Sequence, residues 1–266
     1  MAKLQVADNQ TLESIKNKLN NPYYGLEELK SILDKTPTSI KSDIGQMEVE
    51  SLTKRIETLL ISRRSDIVSQ EEFLQILEYN SRPPVGTVII LNNQLTENKA
   101  WLVVGKEHDG VSNTVDLMPV NSINTEQFDD SSSNYSNSNI RTWLNNTFVS
   151  GFDTEVQNIL KTMEVSTNIS GTITKLSDKV KLPSAFELGI ISSSSVGLPS
   201  KEGNTYSIFE KSYNRIKQSS TGLINWITRS RNTSNTSQVI GINTSGAELG
   251  VSYSENTVGI IPIIRL

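Results

Sequence analysis

Two consecutive prolines, Pro83 and Pro84, divide the chain into parts with different hydrophobic periods. A proline cannot continue a helix, and it drives the residue before it into an extended conformation. Before the prolines, apolar residues recur three and four positions apart, which predicts helices. After them, apolar runs of strand length alternate with polar turns, which predicts strands. We therefore expect a helical region over residues 1–82 and a second domain over residues 83–266.

Short helices with narrow apolar stripes are predicted for the first region. Three of them precede residue 61, and a fourth begins at residues 69–72, whose sequence has the form of a capping box. Leu52, Ile56 and Leu59 share one face of the third. Helices this short are marginal in water alone, so their stripes must be buried against another chain or form a plain helical cap. We favour assembly, with Leu52, Ile56 and Leu59 as contact residues.

The second domain is predicted to combine strands with two helices, over residues 138–148 and 153–162. Segments rich in Ser, Asn and Gly, at residues 129–139 and 191–222, are predicted as loops. The predicted strands cover residues 85–91, 101–105, 115–120, 225–228, 239–242, 249–253 and 259–266, and two further apolar runs cover residues 163–167 and 179–182. The last run is apolar to the chain end, which indicates a buried closing strand, with Pro262 at an edge or bulge position.

Composition and charge exclude several classes of protein. The chain has no cysteine, which excludes disulfides, zinc–thiolate sites, iron–sulfur clusters and thiol nucleophiles. A net charge of −4 without a dense Lys/Arg run excludes a broad electrostatic surface for nucleic acid. No stretch approaches a membrane span, and residues 1–4 lack the layout of a signal peptide. We expect a protein made in the cytosol, with no cofactor, no nucleic-acid partner and no membrane insertion.

Four motifs of the second domain resemble, in order, those of an uncharacterised domain family common in Gram-positive bacteria and their phages. They are residues 135–152 (similar to S.IR.WLN..F...F), residues 178–187 (similar to DKVFLLS..E), residues 226–230 (similar to WWLRS) and residues 259–266 (similar to GVRPVLRL). Ile261 stands where the family usually has arginine, and Asn225 where it often has a second aromatic residue. Any shared site built on those two side chains is therefore in doubt, whereas the scaffold is not.

This resemblance implies a C-type-lectin-like or formylglycine-generating-enzyme-like fold, a compact scaffold that displays variable loops. The fold class expected for the chain is therefore α+β, with N-terminal short helices followed by a C-type-lectin-like mixed α/β domain. Formylglycine-generating enzymes depend on copper-binding cysteines, which this chain lacks, so the resemblance implies no oxygenase activity. Residues 6–15 and 29–33 also resemble the N-termini of phage tail and virion proteins from clostridia and their relatives.

Three groups of side chains could carry chemistry, but a structural interpretation is favoured for each of them. His108, the only histidine, lies in a charged run that ends in glycine, which predicts a water-exposed hairpin turn rather than a catalytic triad. Asp129, Asp130, Asp153 and Glu155 offer oxygen ligands of the kind that Ca²⁺ binds. Their spacing is not that of an EF-hand, and Asp153 is better explained as a helix cap.

Asp178 and Glu187 could form the carboxylate pair of a glycosidase. They belong to a motif whose apolar members are structural, and Glu187 is expected to bond to backbone or to Arg141.

Four further residues, of the types enriched in binding hot spots, are candidate structural or binding residues: Arg141, Trp143, Trp226 and Arg229. For the two tryptophans we favour core positions, and for the two arginines buried pairs or capped strand ends.

The function expected from these observations is that of a non-enzymatic phage virion protein. Its helical segment would dock to other virion proteins or to copies of itself, and its second domain would face outward. It would decorate a capsid or form part of a tail or baseplate, with possible attachment to a host cell-surface glycan. The alternative is a bacterial surface or regulatory module that binds a sugar or a peptide, and an enzyme of unfamiliar type is a third, weaker alternative.

Overall fold

Strands dominate the part of the chain described by the computed structural model, which covers residues 67–79 and 81–266. In chain order the strands are β1 (Ile67–Val68), β2 (Val88–Ile90), β3 (Ala100–Lys106), β4 (Val115–Pro119), β5 (Met163–Ile169), β6 (Thr172–Asp178), β7 (Val180–Lys181), β8 (Lys217–Ser219), β9 (Gly222–Ile224), β10 (Trp226–Arg231), β11 (Gln238–Ile242), β12 (Glu248–Ser252) and β13 (Ile263–Arg265). The α-helices are α1 (Gln70–Glu78), α2 (Asn139–Trp143) and α3 (Thr154–Ile159). None of these helices has the length and apolar character needed to cross a bilayer.

The largest sheet has six strands, in the order β1-β2-β3-β4-β13-β7. β13, at the end of the chain, pairs antiparallel with β4 on one side and with β7 on the other. Ile264 lies opposite Leu117 in β4 and Val180 in β7, and all three side chains are fully buried. Because β13 separates two strands that lie far apart in the chain, the C-terminus joins the two halves of this sheet.

Three smaller sheets complete the β structure: β10-β11-β12, the hairpin β5-β6 and the hairpin β8-β9. In the β5-β6 hairpin, Ser170 and Gly171 connect the strands and both have positive φ, 52° and 92°. Two positive φ values in a two-residue connection match the right-handed twist of the paired strands. Val68–Leu266 together form one compact unit.

Helix α1 packs against the rest of this unit. Its first turn has a capping box, in which the Ser69 side chain accepts from the Glu72 amide and the Glu72 carboxylate accepts from the Ser69 amide. Phe73 and Ile76 are buried, which accounts for the apolar stripe of this helix. The Gln70 side chain accepts from the Asn92 amide and donates to the Asp153 carboxylate. The predicted fourth helix is thus confirmed.

A π-helical turn, Leu144–Phe148, continues α2 and leads to an aromatic cluster. Trp101 of β3 packs against Phe148 and Phe152, with ring centroids 6.4 Å and 5.6 Å away. The predicted helix over residues 138–148 is confirmed, with Ser138 accepting from the Arg141 amide as its cap. The predicted helix over residues 153–162 is shorter, because the chain turns away after Ile159.

The predicted strands have counterparts in β2 to β4, β10 to β13, and the two further runs in β5 and β7. Pro262 does not lie at an edge or in a bulge. It directly precedes β13, an interior strand, where its missing N–H costs no ladder bond.

The predicted fold class, α+β with a C-type-lectin-like mixed α/β domain, is wrong. The described residues are mostly β, in several small sheets with few helices. Two hairpins account for much of the difference. In the β5-β6 hairpin, β6 was not predicted as a strand. The β8-β9 hairpin lies in or next to the segment 191–222, which was predicted as a loop. The first three predicted helices, with Leu52, Ile56 and Leu59, lie outside the described residues.

Replacing Ile264 with alanine should destabilise the unit strongly. The side chain is fully buried in an interior strand, so the cavity left behind should lower the free energy of unfolding by about 2–5 kcal/mol. Denaturant unfolding followed by tryptophan fluorescence measures this, since all three tryptophans lie after residue 100. The control is Ile191→Ala, at a side chain 73% exposed, where the change should stay within about 0.5 kcal/mol. Equal effects of the two substitutions would contradict an interior β13.

Candidate functional site

Lys181, Glu187 and Arg229 form a buried group, here called the central ion cluster. The Glu187 carboxylate accepts from the Lys181 ammonium at 2.7 Å and from the two terminal nitrogens of Arg229 at 2.6 Å and 3.0 Å. All three side chains are almost completely excluded from solvent. Lys181 lies in β7, Arg229 in β10, and Glu187 in a turn in which its amide and carboxylate both bond to Ser184. The cluster therefore joins the largest sheet to the three-stranded sheet.

The charges of this cluster stabilise one another. Burial alone would raise the pKa of Glu187, but the adjacent Arg229 and Lys181 cations outweigh it and hold the pKa at about 2. Burial alone would lower the pKa of Arg229, and the Glu187 carboxylate raises it above its usual range. The remaining Arg229 N–H groups donate to backbone carbonyls of Ser166, Leu182 and Glu202. No donor of this buried guanidinium group is left to solvent, as burial of a charge requires.

A loop at Glu202 and Gly203 closes over the central ion cluster. Gly203 has a φ of 95°, and a β-carbon there would lie 2.6 Å from a Glu187 carboxylate oxygen, so only glycine fits without strain. The buried Glu202 carboxylate accepts from the Asn168 amide and from the Ser230 hydroxyl. Burial raises the pKa of Glu202, and the opposing effects of the Arg229 charge and of the hydrogen bonds from Ser230 and Asn168 do not outweigh it.

A second group, here called the C-terminal ion cluster, consists of the buried Asp116 and Arg265 and the exposed Asp109. Arg265 in β13 binds Asp116 in β4 through two hydrogen bonds of 2.6 Å and 2.7 Å, and it donates to Asp109 at 3.1 Å. The Tyr206 hydroxyl donates to Asp116 at 2.7 Å. Burial and the Asp116 charge raise the pKa of Tyr206 well above its usual value. The last strand is thus fixed by charge as well as by apolar packing.

His108 does not have the water-exposed position that was predicted. It lies in the turn between β3 and β4, as expected, but its ring stacks on Tyr206 with centroids 3.8 Å apart, and its side chain is only 12% exposed. One ring nitrogen lies 3.2 Å from the Asn204 carbonyl oxygen. The reason is that Tyr206, far away in sequence, presents an aromatic face next to the turn.

Arg141 pairs with Asp178 rather than with Glu187. Its guanidinium group makes three hydrogen bonds of 2.7–3.0 Å to the Asp178 carboxylate, which is buried, and this contact raises the pKa of Arg141. Asn145, one turn later, accepts from two backbone amides next to β7. The first motif is therefore tied to the second by its own polar side chains.

The two candidate tryptophans differ in burial. Trp226 is fully buried and donates to the Arg215 carbonyl at 2.8 Å, which confirms a core position. Trp143 is half-buried and packs on Phe148, with ring centroids 5.5 Å apart.

Most of the carboxylates considered for catalysis or calcium have structural partners. Asp178 and Glu187 are each bound to an arginine, so neither is available as the acid or base of a glycosidase. Asp129 accepts from backbone amides of its own loop, and Asp153 accepts from Gln70. Among the described residues, no three histidine, aspartate or glutamate side chains are grouped in a way that could hold a metal ion.

The described surface contains a groove of about 340 Å³ with a mixed apolar and polar lining. Its apolar lining comes from Leu223, Ile224, Leu249, Val251 and Val258, and its polar lining from Asn225, Thr244, Ser252, Glu255 and Thr257. It lies between the end of β9, strand β12 and the segment that follows β12. No sequence motif marked these residues.

Four of the six residues that form the two clusters were not singled out from the sequence: Asp109, Asp116, Lys181 and Arg265. The same holds for Glu202 and Tyr206, which bond to the clusters. One signal was available for a pair among them. Asp116 and Arg265 are single charges of opposite sign within two otherwise apolar runs, and a charge buried in a strand requires a partner. Nothing in the local sequence points to Tyr206 or Glu202, which come from a segment without hydrophobic period.

These observations define the class first: a mostly β module in which several charged side chains are bound in largely buried ion pairs. The chain belongs to the family described as a domain of unknown function (DUF6273), whose model matches residues 86–266. No curated protein and no solved structure shows a significant match to the chain.

Replacing Glu187 with glutamine should destabilise the unit and change its acid sensitivity. Two buried cations lose their carboxylate, which should lower the free energy of unfolding by about 3–5 kcal/mol at neutral pH. In the wild type, the folded pKa of about 2 lies below the unfolded value of 4.5, so stability is lost as the pH falls from 4.5 toward 2. The variant should lack this contribution. Urea unfolding between pH 2 and 7 measures both effects.

The matched control is Glu164→Gln, which breaks an exposed pair with Lys175. Such a pair contributes about 0–1 kcal/mol. Similar losses at the two positions would contradict a structural central ion cluster.

Lys217 provides a test at higher pH. Its ammonium group is buried and donates to the Pro119 and Val120 carbonyls, and burial lowers its pKa from 10.5 to about 7. The unfolded chain therefore binds more protons above pH 7, and stability should rise with pH between 7 and 9. Lys217→Met should remove this rise, whereas Lys175→Met, at an exposed side chain, should keep it. Equal pH slopes in chemical unfolding would contradict a buried, destabilised ammonium.

Proposed function

We propose that the chain is a non-enzymatic structural protein of a phage virion, in which residues 68–266 form a rigid module displayed outward. Its N-terminal region would attach the module to other virion proteins or to copies of itself. The module would decorate a capsid or form part of a tail or baseplate and contact the host surface. Its location would be the virion.

The proposal that the protein is not an enzyme is supported by the partners of the charged motif residues. Arg141 with Asp178, Glu187 with Lys181 and Arg229, and Arg265 with Asp116 pair internally and are largely buried. Groups paired in this way fix the positions of distant segments and have no access to a substrate. This pairing supports a scaffold role for the motif residues, which leaves the loops as the place for a recognition surface.

The virion location is supported by the sequence. The likeness of residues 6–15 and 29–33 to the N-termini of phage tail and virion proteins favours it, as does the separate apolar stripe of Leu52, Ile56 and Leu59. The alternative, a bacterial surface or regulatory module that binds a sugar or peptide, is favoured by one observation, the mixed polar and apolar groove beside β12.

Changing both Ile56 and Leu59 to aspartate should remove the chain from virions. Two charges on the predicted stripe would oppose burial against a partner. Mass spectrometry of purified particles measures incorporation, and light scattering of the isolated chain measures any loss of oligomers. The matched control, Ile191→Asp at a largely exposed side chain of the module, should be incorporated normally.

Absence of the wild-type chain from purified particles would overturn the virion location. Normal incorporation of the double variant would overturn the role of the stripe alone. Tryptophan fluorescence should be unchanged in both variants, which separates loss of docking from loss of fold.

A further inference from the structure

Strand β12 is an edge strand whose outer side is open. It is the last strand of its sheet and pairs only with β11 among the described strands. The Asn243 amide donates to Ala247 and the Tyr253 amide donates to Ser237, which fixes the alternation of this ladder. In an antiparallel ladder, the residues of one strand alternately direct their backbone groups toward and away from the partner strand. The backbone groups of Leu249 and Val251 therefore bond to β11, whereas those of Gly250 point away from it.

The outward backbone groups of β12 lack partners in the described part of the chain. Neither the amide nor the carbonyl of Gly250 bonds to another group there, and the same holds for the Ser252 amide. Natural sheets usually blunt such an edge with a proline, a lysine, a bulge or a covering segment. β12, with the sequence Glu-Leu-Gly-Val-Ser, has no proline, lysine or bulge.

A second open edge lines the same groove. In the β8-β9 hairpin, Ser219 pairs with Gly222 at the turn, so alternation directs the backbone of Leu223 away from β8. The Leu223 side chain is 56% exposed, and it lines the groove together with Leu249 of β12. The groove thus combines free backbone donors and acceptors with an aliphatic lining, which are the two requirements for binding an extended peptide.

The charge of the groove indicates which kind of extended peptide it would bind. Glu255 is the only charged residue among its described lining residues and is partly exposed to solvent. One of its carboxylate oxygens accepts from the Thr257 amide and hydroxyl, which holds the group in place. These hydrogen bonds lower the pKa of Glu255. The groove therefore presents a fixed negative charge.

We propose that this groove binds an extended peptide segment of another protein, which adds an antiparallel strand to the outer edge of β12 and places a basic side chain against Glu255. Apolar side chains on the inward face of that strand would contact Leu223 and Leu249. A second copy of this chain fits less well, because pairing β12 with itself would bring two acidic grooves together. This inference does not depend on a virion location, so either can fail without the other.

The test uses the full chain and a library of random peptides of about six residues, the usual strand length. Peptides selected on the immobilised protein should carry a lysine or arginine and alternate apolar and polar residues. Labelled selected peptides are then titrated with variants, and binding is followed by fluorescence anisotropy. Glu255→Gln, which keeps the acceptor for Thr257, should weaken binding about threefold, and Glu255→Lys about tenfold. Glu97→Lys, at another exposed glutamate, should leave affinity unchanged.

A second arm tests the strand geometry. The same peptides with alternate amides N-methylated keep their side chains but lose the donors of one edge, so they should no longer bind. The proposal is overturned if no peptide is enriched, if Glu255→Lys binds as tightly as the wild type, or if N-methylation has no effect. A dimer of the chain that selected peptides dissociate would identify a second copy as the occupant and would also overturn it.

Discussion

The exclusion of the Arg229 guanidinium group from water is the constraint on which the rest of the structure depends. A buried cation is tolerated only when a carboxylate and several carbonyls surround it. Here those groups come from β5, β7, the turn at Glu187 and the loop at Glu202. Each of these segments must therefore be in position at the same time, and none of them is close to Arg229 in sequence. The central ion cluster in this way determines how the sheets are placed relative to each other.

Much of the β structure could be predicted because strand formation in the core depends on local pattern. The run that ends at Leu266 is apolar in nearly every position, and such a run is stable only as a strand covered on both faces. The helix before Phe148 was predictable for a similar reason, since its spacing and its Ser138 cap are local signals. These local signals do not show which strands are neighbours in a sheet. That β13 separates β4 from β7 follows from the whole chain and not from the run itself.

The errors arose where tertiary contacts override local composition. Residues 172–178 and 217–224 are rich in polar residues, yet they form hairpins because a neighbouring strand satisfies their backbone groups. Ser170-Gly171, a turn signal for the first hairpin, was available in the sequence and was overlooked. The candidate site was even less predictable. Arg141 and Arg229 could be chosen as paired residues from their motifs, but their partners depend on the fold, and the groove beside β12 is built from residues without a motif.

A scaffold held by buried ion pairs has a consequence for how a binding surface can vary. Well-packed apolar residues could give similar stability to the folded state. An unpaired buried charge, in contrast, is costly, so buried ion pairs destabilise wrong arrangements of the chain more than they stabilise the correct one. In this protein the pairs connect β7 with β10 through Glu187, and β4 with β13. Exposed loops that take no part in these pairs can change composition without changing the strand positions. The open edge of β12 contains none of the paired charges, and for that reason it is the part of the described module best suited to change its partner while the fold is retained.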